Sequence, residues 1–250
     1  MILSKRLQVI ADMIPEGGVL ADVGCDHGFL DIYLVQTGKI QGAIAMDVRK
    51  GPLAAATAHV REAGLGNRIE TRLSDGLEAM MPGEAATLVC AGMGGPLMQR
   101  ILRAYPEKTE SFQDLLLQPQ SEIQEFRAFL RENGYRIIEQ RILWEDGKYY
   151  FPMHVRRETN GPLGTGFVVH LEKEREDDLT EICDRYGESL IMGRDPLLYQ
   201  FLTEQRKVFE DILEKLHSEG EADERRQRRL QEVNHELEML RKAMELMAGT

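Results

Sequence analysis

Five short apolar runs, VLADVG (19–24), GAIAMD (42–47), IETRLS (69–74), TLVCAG (87–92) and DLLLQP (114–119), each end at or near Gly, Asp, Ser or Pro. They alternate with segments of helical length and period. The segment 51–63 is one, and 122–133 is another, with Ile123, Phe126, Phe129 and Leu130 on one face. Strands alternating with helices imply βαβ units, and therefore a doubly wound parallel sheet with right-handed crossovers. After Gly134 the pattern changes to two consecutive strand-like runs, YRIIEQRILW and KYYFPMHVRR, around the turn EDGK. Asp-Gly is a strong hairpin signal, so an antiparallel hairpin is expected to close the sheet.

RETNGPLGTG (157–166) reads as a linker, which divides the chain into domains 1–157 and 158–250. Beyond it, Leu198, Leu202, Gln205, Phe209, Ile212 and Leu216 recur at spacings of four and three. Leu230, Val233, Leu237, Leu240, Met244 and Met247 do the same, which makes a heptad seam on two helices. HSEGEAD (217–223) is short, so the helices are expected to fold back as an antiparallel coiled-coil pair. An arm of this kind and a helical hairpin packed on its own core both fit the pattern.

No segment approaches the roughly 20 apolar residues of a membrane span, and none has the form of a signal peptide. A cytoplasmic protein without a membrane partner is expected. Cys25, Cys90 and Cys183 show no CxxC spacing, so neither a disulfide framework nor a metal site is indicated. The net charge of −11 argues at first against a nucleic-acid partner. Its distribution softens that argument, because residues 1–157 hold 18 basic against 20 acidic residues and the remainder holds 13 against 22.

In an open α/β sheet, ligands bind beyond the carboxyl ends of the strands, and the first strand-to-helix turn is central. That turn reads ADVGCDHGFLD (21–31). A dinucleotide fingerprint counted from Gly24 needs glycines at positions 26 and 29, where Asp26 and Phe29 stand. The other reading takes Asp22, Gly24, Asp26 and Gly28 as an acid-and-glycine turn for a cationic ligand without phosphates. S-adenosylmethionine has that character. Asp47 ends the second strand, where an acid can accept both ribose hydroxyls, and Ser74-Asp75-Gly76 follows the third, within reach of an adenine amino group. Each acid alone also fits an ordinary turn or cap. LVCAGMGGPLM (88–98) has glycines but no Lys with Ser or Thr behind them, which excludes a phosphate-gripping loop.

The set SKRL (4–7), ADVGCDHGFL (21–30), SDGL (74–77), AGMGG (91–95) and LQP (117–119) resembles the bacterial tRNA (adenine(22)-N(1))-methyltransferase family, TrmK. The likeness runs from residue 4 to about 157. It implies a class I methyltransferase fold, Rossmann-like, with a C-terminal helical domain, S-adenosylmethionine as donor, and N1 of an adenine in the tRNA D-loop region as acceptor. It further implies that Arg6, Asp22, Gly24, Cys25, Gly28, Asp47, Asp75, Gly76, Gly92, Met93 and Gly94 bind the cofactor. Asp26, His27 and Gln118 are the candidates for catalysis, Asp26 by stabilising charge and the other two by orienting the base or by simple capping. Amino-group methyltransferases acting on adenine commonly place a polar residue after the fourth strand. Here AGMGG carries none, which suits N1, whose in-plane lone pair needs no proton removed. Other readings are a methyltransferase for another RNA or a small molecule, an oxidoreductase, or an interaction protein built on the hairpin. Arg225, Arg226, Arg228 and Arg229 form a basic cluster that would touch tRNA or pair with neighbouring acids.

Overall fold

A computed structural model of the protein describes residues 1–158, 173–218 and 224–249. The chain forms two compact units, Met1–Leu163 and Gly164–Thr250. Most of the linker expected at 157–166, and most of the loop expected at 217–223, lies outside the described residues.

The first unit runs α1 (Lys5–Met13), β1 (Val19–Val23), α2 (Phe29–Gln36), β2 (Gly42–Asp47), α3 (Lys50–Glu62), β3 (Ile69–Leu73) and β4 (Thr87–Met93). It continues α4 (Gly95–Ala104), α5 (Pro106–Thr109), β5 (Asp114–Pro119), α6 (Ile123–Glu132), β6 (Tyr135–Gln140), β7 (Leu143–Glu145), β8 (Lys148–Tyr150) and β9 (Met153–Arg157). All five expected strands form, and seven strands make one sheet in the order β3-β2-β1-β4-β5-β9-β6. β1 pairs in parallel with both β2 and β4, so the chain reverses direction across the sheet at β1. This is the topological switch point of a doubly wound fold, where a crevice opens beyond the strand ends. Every residue of β2 and β5 is buried, as expected of strands covered on both faces. Leu20, Leu88, Leu115 and Phe126 are among the fully buried side chains at the core.

The hairpin closes the sheet in a different way from that expected. β9 runs antiparallel to β5 and β6, but each of the two long runs breaks in the middle. The outer pieces leave the main sheet as a separate two-stranded sheet, β7 with β8. Pro152, at the break, has no N–H to donate, although its carbonyl still accepts from Arg141. Asp146 and Gly147 at the tip have φ of 49° and 77°, the paired positive values that a tight hairpin turn needs. Trp144 on β7 is 42% exposed, with its ring 4.4 Å from that of Tyr149 on β8.

The second unit contains α7 (Lys173–Tyr186), α8 (Glu188–Met192), α9 (Pro196–Ser218) and α10 (Glu224–Ala248). α9 and α10 pack on each other as the expected pair. Leu198, Leu202, Val233, Leu240 and Met247 of the heptad seam are buried, while Gln205, Phe209, Ile212, Leu216 and Leu230 are only half-buried. α10 also packs on α7 and α8, burying Met239 and Ala243 outside the seam, so this end of the pair belongs to a small helical core. Arg185 on α7 ties that core together by pairing with Glu181 at 2.7 Å and with Glu236 of α10 at 2.6 Å. Among the described residues no helix is long and apolar enough to cross a membrane.

Candidate functional site

The β1–α2 turn is tightly built. The N–H groups of Gly24 and Cys25 both donate to the Met46 carbonyl, at 2.8 and 2.9 Å, which ties the turn to the end of β2. Gly24, Asp26 and Gly28 have φ of 79°, 51° and 71°, so three left-handed residues fall within five. For Asp26 this is a tolerated but uncommon conformation. A Cβ on Gly28 would meet the Ala56 Cβ at 3.3 Å, and one on Gly24 would meet Met93 Cε at 3.1 Å. Glycine at position 24 therefore lets Met93, at the end of β4, close over the first turn.

Around this turn stand the acids picked from the sequence. Asp47 is buried, and its Oδ1 accepts from the Arg49 backbone N–H at 2.8 Å and from Arg49 Nε at 3.3 Å. Both bonds go to one oxygen, so Oδ2 remains to be offered to a ligand. Asp75 is exposed, lies 3.6 Å from Arg100, and is carried on a loop that Ser74 organises by donating to the Gly76 carbonyl. Gly76, at φ of 59°, fits that loop against Ile101.

Asp22 is buried, and burial pushes its carboxyl up to about 7. Asp31, from the first turn of α2, lies fully buried against it. Neither oxygen of Asp31 has a hydrogen-bond donor among the described residues. Asp31 was not among the sequence candidates. The signal for it is a charged residue inside the apolar helix FLDIYLVQ. Burial pushes the Cys25 and Cys90 thiols far up, so neither supplies a thiolate nucleophile.

A second group forms at the ends of β4 and β5. Gln118 is buried, and its Oε1 accepts from Arg6 Nη1 at 3.1 Å. The Arg6 guanidinium also lies 5.8 Å from the centre of the Tyr150 ring, and its backbone N–H reaches the Glu145 carboxylate at 3.3 Å. Gly92 sits at a bulge between β4 and β5, with φ of 80°, and a Cβ there would meet Arg6 Nη1 at 3.4 Å. Arg6 thus stands with Gln118 and Gly92. Glu145 and Tyr150, reached only through the hairpin tip, carry no sequence signal that links them to residue 6.

The glycines of AGMGG have a packing role. A Cβ on Gly94 would lie 2.8 Å from Ser121 Oγ, and one on Gly95 would lie 2.8 Å from the Ser121 carbonyl. Gly95 N–H donates to that same carbonyl at 3.1 Å, and Gln120 N–H donates to the Met93 carbonyl at 3.0 Å. The β4–α4 and β5–α6 turns therefore interlock backbone to backbone. His27 is half-exposed and 3.7 Å from Asp26, and its ring neighbours are Phe29 at 5.7 Å and His59 at 6.0 Å. Its described partners do not include Gln118, so the two residues chosen to orient a base belong to separate clusters.

The residues present fit S-adenosylmethionine. The uncompensated Asp22–Asp31 pair suits a cation, Asp47 keeps an acceptor oxygen, and the glycine turn leaves backbone open to close approach. Among the described residues no cluster of His, Cys, Asp or Glu could hold a metal ion.

Comparison with known proteins finds methyltransferases. A family model described as a methyltransferase domain matches residues 3–153. The chain is 43% identical over 148 residues to the tRNA (adenine(22)-N(1))-methyltransferase of Bacillus subtilis, a match covering 59% of this chain and 62% of that protein. It superposes on the crystal structure of the B. subtilis M1A22 tRNA methyltransferase TrmK with a TM-score of 0.82 and 31% identity, covering 97% of this chain and 98% of that one. The Streptococcus pneumoniae protein Sp1610 in complex with S-adenosyl-L-methionine gives a TM-score of 0.79 at 29% identity, covering 97% and 99%.

Proposed function

The chain belongs to the bacterial tRNA (adenine(22)-N(1))-methyltransferase family, and from that premise we propose that it methylates N1 of adenine 22 in tRNA with S-adenosylmethionine as donor. The observation that carries the reading is the set of acids at or just past the ends of β1, β2 and β3, with the glycine turn that follows β4 packed against the turn that follows β5. S-adenosylmethionine supplies a methyl group already activated on a sulfonium. Asp22 faces its ammonium, Asp47 its ribose and Asp75 its adenine, while Gly24, Cys25, Gly28, Gly76, Gly92, Met93 and Gly94 shape the walls. Arg6 holds the Gln118 amide by its oxygen, and Nε2, which donates one N–H to the Pro119 carbonyl at 3.4 Å, keeps its second N–H for an acceptor on the target base.

Methylation at N1 needs alignment more than proton transfer, because the attacking nitrogen has a free lone pair. The product base is cationic. Asp26, 65% exposed at the first turn, is the carboxylate available to stabilise that charge. Asp26→Asn should lower the single-turnover rate about tenfold, with cofactor affinity nearly preserved. A large loss of affinity with a normal rate at saturation would move Asp26 to the cofactor. For the activity itself, an unmodified tRNA transcript incubated with protein and cofactor should gain a reverse-transcription stop at adenine 22, since N1-methylation blocks the pairing edge. Replacing that adenine should abolish the stop, and methylation elsewhere would overturn the assignment.

The finer RNA contact is proposed for the second unit. Arg226 donates to the Leu216 carbonyl, and Arg229 pairs with Glu232 at 2.8 Å, so these two are engaged locally. Arg225 and Arg228 are exposed, with no ion pair among the described residues. Replacing both by Gln should raise the Michaelis constant for tRNA and reduce its salt slope by up to about two. An unchanged slope would leave the hairpin out of RNA binding. Such a substrate places the protein in the cytoplasm.

A further inference from the structure

Two carboxyl groups buried against each other, with no cation between them, are the least ordinary feature of the first unit. Asp22 lies near the end of β1 and Asp31 in the first turn of α2, at 5% and 0% exposure. Among the described residues no Lys, Arg or His makes an ion pair or hydrogen bond with either. The charges facing them make the situation worse. Asp47 from β2 and Asp26 from the turn both act on Asp22, and the neighbouring thiols of Cys25 and of Cys90 on β4 are neutral. Arg49 and His27, the basic groups nearby, pair with Asp47 and Asp26.

Two ionised carboxylates are both acceptors, so a hydrogen bond between them requires a proton on one. Two such charges also cannot both be held in a buried site without a counter-ion. Asp31 has no solvent and no donor, and it is the more buried acid, so it keeps the proton. Its hydroxyl then donates to Asp22, the acid at the strand end.

We propose that Asp31 is a permanently protonated acid whose O–H orients Asp22 for the cofactor's α-ammonium, and that Asp22 releases its own proton when that cation arrives. A carboxylic acid held neutral by an apolar site so that it can donate a hydrogen bond is an established device in enzymes. Asp31 is then a positioning residue acting through Asp22. The proposal rests on the cofactor reading above. No bond to carbon changes, and the balance is one proton from Asp22 to solvent for each cation bound.

The pH dependence follows from linkage. Burial lifts Asp22 to about 7 in the free protein, and the ammonium lowers it in the complex. Below about pH 7 the free protein therefore carries a proton that competes with the ligand. Affinity should weaken as pH falls through that value, by up to about tenfold per pH unit, and should hold above it until the ligand's own α-ammonium loses its proton.

Two measurements test this, one of which needs no ligand. Infrared difference spectroscopy at pH 8.5 should show a protonated carboxyl band in the wild-type protein that is absent in Asp31→Asn. Absence of that band in the wild type overturns the assignment of Asp31. Titration calorimetry at pH 6 in buffers of different ionisation heat should give about one proton released per S-adenosylmethionine, and much less at pH 8.5. S-adenosylhomocysteine keeps the ammonium but lacks the sulfonium, and should release the same. Equal heats in all buffers, or release with S-adenosylmethionine alone, would overturn the role of Asp22. Asp31→Asn, which keeps a donor, should hold affinity within about threefold, whereas Asp31→Leu should lose about tenfold or more at pH 7. If Asn abolishes the proton release or binds as poorly as Leu, the donor role is wrong. Should neither ligand bind in any buffer, the cofactor reading itself falls, while the infrared band still decides the state of Asp31.

Discussion

Asp47→Ala should weaken S-adenosylmethionine binding by roughly a hundredfold, or about 3 kcal/mol, with little change in the stability of the free protein. The carboxylate is buried at the end of β2, and both of its described bonds go to Oδ1. Two vicinal ribose hydroxyls would find an acceptor oxygen already fixed in place by Arg49, so little ordering remains to be done on binding. Alanine leaves those hydroxyls without that partner. Arg49, two-thirds exposed, simply returns to solvent, which is why folding should be spared. Calorimetry on the variant and on Asp47→Asn gives the comparison, with Asn expected in between. Unchanged affinity for Ala would remove Asp47 from the ribose site.

The second large effect is expected at Gly95. Its Cβ would stand 2.8 Å from the Ser121 carbonyl oxygen and 3.0 Å from that of Glu122, both main-chain atoms that cannot rotate aside. Gly95→Ala must push the β4–α4 and β5–α6 turns apart, at a cost of about 1–3 kcal/mol, or a melting point lower by roughly 5 °C. Activity should fall further, by about a hundredfold, because the proposed site for base and methyl group is bounded by these turns. Gly94→Ala is the internal control. Its close neighbour is the Ser121 hydroxyl, a side-chain atom free to turn away, so the melting point should change little. Equal effects at the two positions would show that the interlock is not what the glycines serve.

Much of this molecule was legible because its strands are buried on both faces and end in residues that stop a strand for local reasons. The runs at 42–47 and 114–119 match β2 and β5 to the residue. The hairpin was legible in its turn but not in its break, since Asp146-Gly147 is a local signal, whereas leaving the main sheet at Gln140 depends on pairing with β9 far along the chain. Likewise Asp22, Asp47 and Asp75 announce themselves by register at strand ends, but the partner of Arg6 does not. The Arg6–Gln118 bond joins residues 112 apart, and nothing in either segment encodes it. Asp31 stands past the strand end, where register picks out no acid, and its one local sign is a charge inside the apolar run FLDIYLVQ.

The chain has one tryptophan, and Trp144 lies on β7 in the first of the two units. Its emission is therefore an optical label for that unit alone. Far-ultraviolet dichroism, by contrast, is weighted towards helix, and the two longest helices, of 23 and 25 residues, lie in the second unit. Melting curves followed by the two signals report on different parts of the same chain. Coincident curves would mean that the units unfold as one cooperative body, and separated curves would give each its own midpoint without cutting the chain.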